Sequence, residues 1–123
     1  MFSAETLQKF AREVAKYPVN QKQSAVMACL AHAQEEKGWL SPESIEAVAQ
    51  YLGMPVMAAF EVATFYNMYD LKPVGKFKIT VCTNLPCALS GGYHAGDYLQ
   101  KKLGIGYGET TADGKFTLKE GEC

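Results

Sequence analysis

The 123-residue sequence predicts an α+β chain, with an N-terminal helical bundle over residues 1–72 and a smaller strand-containing domain over residues 73–123. Three observations predict it. Apolar residues recur at helical spacing up to about Asp70, then at a spacing of two just after Pro73. Start and stop residues fall where the helical pattern needs them. The segment Asp70-Leu71-Lys72-Pro73-Val74-Gly75 interrupts both patterns and marks the boundary.

In the first half, Leu7, Phe10, Ala11, Val14 and Tyr17 form one apolar stripe that Pro18 closes. Val26, Cys29, Leu30 and Ala33 repeat the stripe in a second helix ended by Gly38. Ser41-Pro42 reads as an N-cap followed by a proline in the first helical position. Ile45, Val48, Ala49 and Leu52 continue that third helix to Gly53. Pro55 opens a fourth segment running through Ala63 to Tyr69, which is apolar nearly all round and is expected to be well buried.

Beyond Pro73, Phe77, Ile79 and Val81 alternate with Lys76, Lys78 and Thr80, the pattern of a half-buried strand. Gly91-Gly92 breaks the chain. Tyr93 to Leu103 then reads as a helix with Ala95, Tyr98, Leu99 and Leu103 on one face, ended by Gly104. Asp113-Gly114, between Glu109-Thr110-Thr111 and Phe116-Thr117-Leu118, predicts a hairpin. The expected order is four helices, then β-α-β-β.

Composition narrows the function. With 48% hydrophobic and 20% charged residues the chain is ordinary globular material. Twelve Lys and Arg against thirteen Asp and Glu give a net charge of −1, which argues against nucleic acid or an anionic membrane as the main partner. The start, Met1-Phe2-Ser3-Ala4-Glu5, has an early acid and no apolar core of a secretory signal. No run approaches the roughly 18 apolar residues of a membrane-spanning helix, so no direct membrane insertion is expected. Four cysteines in such a chain point to a reducing compartment, where thiols bind metal or do redox work.

Cys82 ends the alternating run, Thr83-Asn84-Leu85-Pro86 reads as a tight loop, and Cys87 follows; Cys123 is the last residue. A C-x4-C loop leaving a strand can aim two thiolates at one iron, a spacing that recurs in [2Fe–2S] proteins. Zinc is the metal rival, although structural zinc pairs favour C-x2-C. A pair of small buried hydrophobes is the non-metal alternative. The plant-type pattern is absent, because Ala88-Leu89-Ser90 follows Cys87 where that pattern has a cysteine. Only three cysteines lie in this half, whereas a binuclear cluster takes four ligands, so the expectation is a chain cut off inside its second ligand pair. Cys29 sits on an apolar helical stripe and is expected in the core. His32 and His94 lie on different helices, not in the cysteine–histidine pairs of a Rieske site. Gly91-Gly92 lacks the context of a phosphate loop and is expected to allow close backbone approach near Cys87, with main-chain N–H groups there facing the sulfurs.

Taken together, several stretches resemble one family. Gln34-Glu35-Glu36-Lys37-Gly38-Trp39-Leu40-Ser41, Thr64-Phe65-Tyr66-Asn67-Met68-Tyr69, Lys72-Pro73-Val74-Gly75-Lys76, Cys82-x4-Cys87, Thr110-Thr111-Ala112-Asp113-Gly114-Lys115-Phe116 and Glu122-Cys123 are similar, in order, to the thioredoxin-like [2Fe–2S] subunit of respiratory NADH:quinone oxidoreductase. The resemblance covers essentially the whole chain. It implies an incomplete thioredoxin-like [2Fe–2S] domain in which Cys82 and Cys87 are the first ligand pair. Cys123 would be the first cysteine of a C-x3-C second pair, with the fourth ligand missing from the chain. It implies one-electron transfer within an NADH-oxidising module, catalytic only as part of the complex. The implied partners are a flavin- and NADH-binding subunit and other iron–sulfur subunits. The implied location is peripheral, on the cytoplasmic side of a bacterial inner membrane or the matrix side of a mitochondrial one. Related subunits of NAD-linked hydrogenases and formate dehydrogenases fit the same motifs. The remaining rivals are a thiol oxidoreductase, which would want C-x-x-C, and a cluster-free interaction module.

Overall fold

A computed structural model describes residues 1–123. The chain forms two compact units, Met1–Pro73 and Val74–Cys123.

The first unit is helical. Its elements are α1 (Ala4–Val14), a 3-10 segment (Val19–Ala25), α2 (Val26–Lys37), α3 (Pro42–Leu52) and α4 (Val56–Phe65). Ser3 caps α1: its Oγ accepts the Thr6 N–H at 3.2 Å, satisfying a donor that the first helical turn leaves over. The Glu36 carboxylate on α2 accepts the Ser3 N–H at 3.1 Å, which ties the two helices together at that end. Ser41 caps α3 in the same way through the Ser44 N–H at 3.2 Å, with Pro42 following as expected. The glycine stops also hold. Gly38 and Gly53 take left-handed φ values of 83° and 64°, which let the chain leave α2 and α3 without a Cβ clash.

The core of this unit gathers Phe10, Cys29, Leu30, Leu40, Ile45 and Val48, each essentially without solvent exposure. Phe2 and Tyr51 meet the Phe10 ring edge-on, both at 5.2 Å between centroids. The stripe on α1 is narrower than the spacing suggests: Thr6 and Phe10 are buried, whereas Leu7 and Tyr17 are about two-fifths exposed, and Tyr17 lies beyond the helix end.

The fourth segment differs more. The helix stops at Phe65, and it buries only Ala59 and Ala63. Met57, Phe65, Tyr66 and Met68 are exposed; Phe65 is 79% so. Hydropathy all round a helix signals burial on every side, but here Ala59 and Ala63 make the closest contact, Phe60 and Val62 pack half-buried against the core, and Met57 and Phe65 face outward. Beyond it, Tyr69 is the anchor. Its ring is buried and its hydroxyl donates to the Met27 carbonyl at 2.8 Å. Gln34 clamps the same stretch, donating to the Met68 carbonyl and accepting the Asp70 N–H at 2.6 Å.

The second unit runs β1 (Phe77–Cys82), α5 (Leu85–Leu89), α6 (Gly92–Leu103) and β2 (Phe116–Gly121). The two strands pair in parallel, from Phe77 opposite Phe116 to Cys82 opposite Gly121. The Asp113-Gly114 turn forms. The Asp113 carboxylate accepts the Lys115 N–H at 2.9 Å, and the Gly114 N–H reaches the Thr111 carbonyl at 2.8 Å. The first arm of the expected hairpin makes one antiparallel bridge, Thr110 to Thr117, on the edge of β2 away from β1, where the Thr111 N–H donates to the Phe116 carbonyl at 2.8 Å and the Leu118 N–H to the Glu109 carbonyl at 3.2 Å. On α6 the expected apolar face holds in part: Leu99 and Leu103 are half-buried, Ala95 and Tyr98 are exposed, and Gly96 is the buried residue. A Cβ on Gly96 would run into the Tyr107 hydroxyl, so the ring of Tyr107 covers the space a larger residue would take.

Candidate metal centre

Parallel pairing decides where the cysteines go. In a parallel pair both strands leave the sheet at the same end. Cys82 is the last residue of β1, and Cys123 lies two residues beyond Gly121, its partner's end. The Thr83 N–H donates to the Gly121 carbonyl at 3.1 Å, and the Thr83 hydroxyl donates to the Glu120 carboxylate at 2.9 Å, so the two exits stay together. The third cysteine returns on α5. Asn84 caps that short helix by accepting the Leu85 N–H at 3.0 Å, with Pro86 and Cys87 both in its first turn. Of the segment expected as a loop, Thr83 and Asn84 remain non-helical, whereas Leu85 and Pro86 open α5, and the Asn-x-Pro start is the signal that could have shown it.

The result is a triangle of sulfurs. Cys82, Cys87 and Cys123 place their three Sγ atoms within 4.8 Å of one another, and Cys87 and Cys123 are 3.7 Å apart. All three are free thiols, half-buried for Cys82 and Cys87 and exposed for Cys123. Gly92 makes the approach possible. A Cβ there would lie 2.7 Å from the Cys82 carbonyl oxygen and 2.9 Å from that of Cys87, so α6 can start against the site only without a side chain. This is the close approach expected of the Gly91-Gly92 pair. The main-chain donors, by contrast, come from elsewhere: N–H groups of Asn84 and Cys123 reach the Cys82 sulfur.

These contacts divide the thiols. The Asn84 N–H, and next the Cys87 thiol, hold Cys82 below the ordinary thiol value, which favours a thiolate there. Cys87 is pushed up to about 11, first by the Cys82 side chain and then by that of Cys123, because neighbouring sulfurs cannot all carry charge. Such a group gives up its remaining protons readily only to a cation that binds all three sulfurs.

The other candidates lie elsewhere. Cys29 is fully buried in the helical core, and burial pushes its thiol to about 12, as fits a packing residue. His32 lies between Glu13 and Glu35, at 3.7 and 3.2 Å, and His94 is exposed on α6; neither joins the sulfur group.

Three cysteine sulfurs converging at one end of a parallel sheet could hold a metal ion or an iron–sulfur cluster, and the comparison with known proteins narrows the choice. The thioredoxin-like [2Fe-2S] ferredoxin family matches residues 10–123, and the chain belongs to that family. It is 51% identical over 111 residues to the E-type subunit of NADH-quinone oxidoreductase from Rickettsia typhi, covering 89% of this chain and 65% of that protein. The E-type subunit from Rickettsia prowazekii is 50% identical over 111 residues, with 89% and 63% covered. NADH-quinone oxidoreductase subunit 2 of Thermus thermophilus is 42% identical over 109 residues, with 89% and 60% covered. The chain thus spans somewhat less than two thirds of the length of these relatives. The α+β class and the thioredoxin-like kinship expected from the sequence both hold. The donor set fits the family's cofactor: three soft sulfur ligands converge, and backbone N–H groups reach one of them.

Proposed function

We propose that this chain is an electron-carrying subunit of an NADH:quinone oxidoreductase and that Cys82, Cys87 and Cys123 are ligands of its [2Fe–2S] cluster. The observation that carries the reading is the convergence of these three thiols in a chain of the [2Fe-2S] ferredoxin family. When bound, the cluster supplies one-electron redox chemistry. The protein's part is to hold and tune. β1 and β2 present Cys82 and Cys123 at one end of the sheet, and α5 returns Cys87 to them. The Asn84 and Cys123 N–H groups offset negative charge on the Cys82 sulfur, which favours the reduced state of a bound centre. A binuclear cluster takes four ligands, and the fourth is a donor other than the buried Cys29.

On this reading the domains are the helical bundle, residues 1–72, and the thioredoxin-like [2Fe–2S] domain, residues 73–123. The relatives' names support a place in a multisubunit complex. The partners are its flavin- and NADH-binding subunit and its other iron–sulfur subunits. No helix is long and apolar enough to cross a membrane. The relatives' names support a peripheral place in that complex, on the cytoplasmic side of a bacterial inner membrane or the matrix side of a mitochondrial one.

Anaerobic reconstitution with iron, sulfide and a small exogenous thiol tests the assignment by visible absorption and by EPR of the reduced protein. The parent chain and Cys29→Ala should give the signals of a binuclear cluster. Cys82→Ser, Cys87→Ser and Cys123→Ser should each lose or strongly shift them, because serine removes a soft thiolate. Parent-like spectra in all three serine variants would refute the ligand set.

A further inference from the structure

We infer that the Cys82–Cys87–Cys123 triangle is also a mononuclear thiolate site for one zinc-type divalent cation, which competes with the binuclear cluster for the same sulfurs. The inference goes beyond the cluster reading and rests on the spacing of the sulfurs. A tetrahedral ion with metal–sulfur bonds of about 2.3 Å holds its sulfur ligands about 3.8 Å apart, and a trigonal one about 4.0 Å apart. The Cys87–Cys123 separation is 3.7 Å, and no pair of the three exceeds 4.8 Å. One ion therefore fits with only small side-chain adjustment.

A binuclear cluster distributes its ligand sulfurs over two irons, and sulfurs on opposite irons stand apart by the width of the cluster. Loading it requires the present triangle to widen, whereas a single ion takes the triangle nearly as it stands. The donor set adds to this. Three soft thiolates suit zinc and copper(I) over magnesium or calcium, and no carboxylate or imidazole belongs to the group. A tetrahedral ion takes one donor more than these three. The N–H groups of Asn84 and Cys123 at the Cys82 sulfur orient that ligand from outside the metal's own shell. Binding replaces protons on the thiols by the metal, so each equivalent bound releases protons to the buffer.

The test uses the metal-free, phosphine-reduced full chain. Zinc ions are titrated against a chromophoric chelator, and cobalt(II) serves as the spectroscopic probe. We expect one equivalent of either metal, with thiolate-to-cobalt charge-transfer absorption and the intense visible bands of tetrahedral cobalt. Cys82→Ser, Cys87→Ser and Cys123→Ser should each weaken binding by at least about tenfold, as loss of a direct ligand costs no less than loss of an outer-shell partner. Cys29→Ala should bind as the parent does. Zinc loaded first should slow growth of the iron–sulfide chromophore. Where a serine variant folds poorly by circular dichroism, the charge-transfer intensity of the parent still counts the coordinated thiolates. A chain that reconstitutes with iron and sulfide but takes up no zinc or cobalt would overturn the inference and leave the cluster reading standing. Zinc uptake unchanged in all three serine variants would also overturn it. Zinc uptake through the three thiols, with no iron–sulfide assembly, would uphold the inference and remove the cluster reading instead.

Discussion

Replacing Gly92 by alanine adds one methyl group where α6 meets the thiol site. That methyl would sit 2.7 Å from the Cys82 carbonyl oxygen and 2.9 Å from the Cys87 carbonyl oxygen, where ordinary contact begins at 3.4 Å. Both obstacles are backbone, so neither can swing aside; relief requires α6 to retreat from β1 and α5 by about half an ångström or more. Overpacking of this kind costs about 1–3 kcal/mol. The intrinsic preference of helices for alanine over glycine returns at most about 1 kcal/mol, and less at a first-turn position. We expect a net loss of about 1–2 kcal/mol, which corresponds to a roughly 5–30-fold larger open population. Hydrogen exchange of the β1 amides, residues 77–82, measures it. The same shift should separate Cys82 from Cys87 and weaken cobalt binding. Gly106→Ala is the control, since its Cβ would meet only the flexible Glu109 carboxylate, at 3.0 Å. Unchanged β1 exchange and unchanged cobalt affinity in Gly92→Ala would refute the argument from close approach.

Gly96→Ala should destabilise the second unit by overpacking against Tyr107, and Tyr107→Phe should rescue it in part by removing the hydroxyl; a Tyr107→Phe change in stability that is the same in the parent and in the Gly96→Ala background would show no coupling. Acid sensitivity follows from Glu36, whose carboxyl is held at about 2, against a usual 4.5, first by the Thr6 hydroxyl and then by the Ser3 N–H. The folded form then binds fewer protons than the unfolded one. Its contribution is present above pH 4.5 and is lost as pH falls from there towards 2. Glu36→Gln should flatten that part of an acid-denaturation curve followed by circular dichroism. In the metal-free chain, iodoacetamide should alkylate Cys82 before Cys87, because the first thiol is lowered and the second is pushed up to about 11; mass spectrometry of the partly modified chain reads the order.

Local signals carry over almost unchanged from sequence to structure. Ser3, Gly38, Ser41-Pro42 and Gly53 end or begin helices by satisfying or releasing backbone groups within one turn, and these effects act over a few residues. Ser41 and the glycine stops are plain in the sequence. Ser3 and Asn84 are residue types that cap helices, yet an apolar stripe alone does not single them out. Cys29 is legible as core, because a stripe at helical spacing fixes which side of the helix meets its neighbours. The three candidate ligands are legible as residues, though not as a triangle.

Hydropathy is a poorer guide where it meets shape. Met57, Phe65 and Met68 are apolar yet exposed, and Gly96 is the buried residue of α6, because close packing rewards fit as well as greasiness. Most helix starts and stops in the first half, and the presence of the three thiols, are properties of neighbours along the chain, and a reading of neighbours finds them. The parallel placement of β2 beside β1 is of another kind. It brings Cys123 to the end where Cys82 emerges, 41 positions earlier, and so it makes the site. Strand pairing is a contest between distant segments for the same backbone hydrogen bonds, and no local pattern states its outcome.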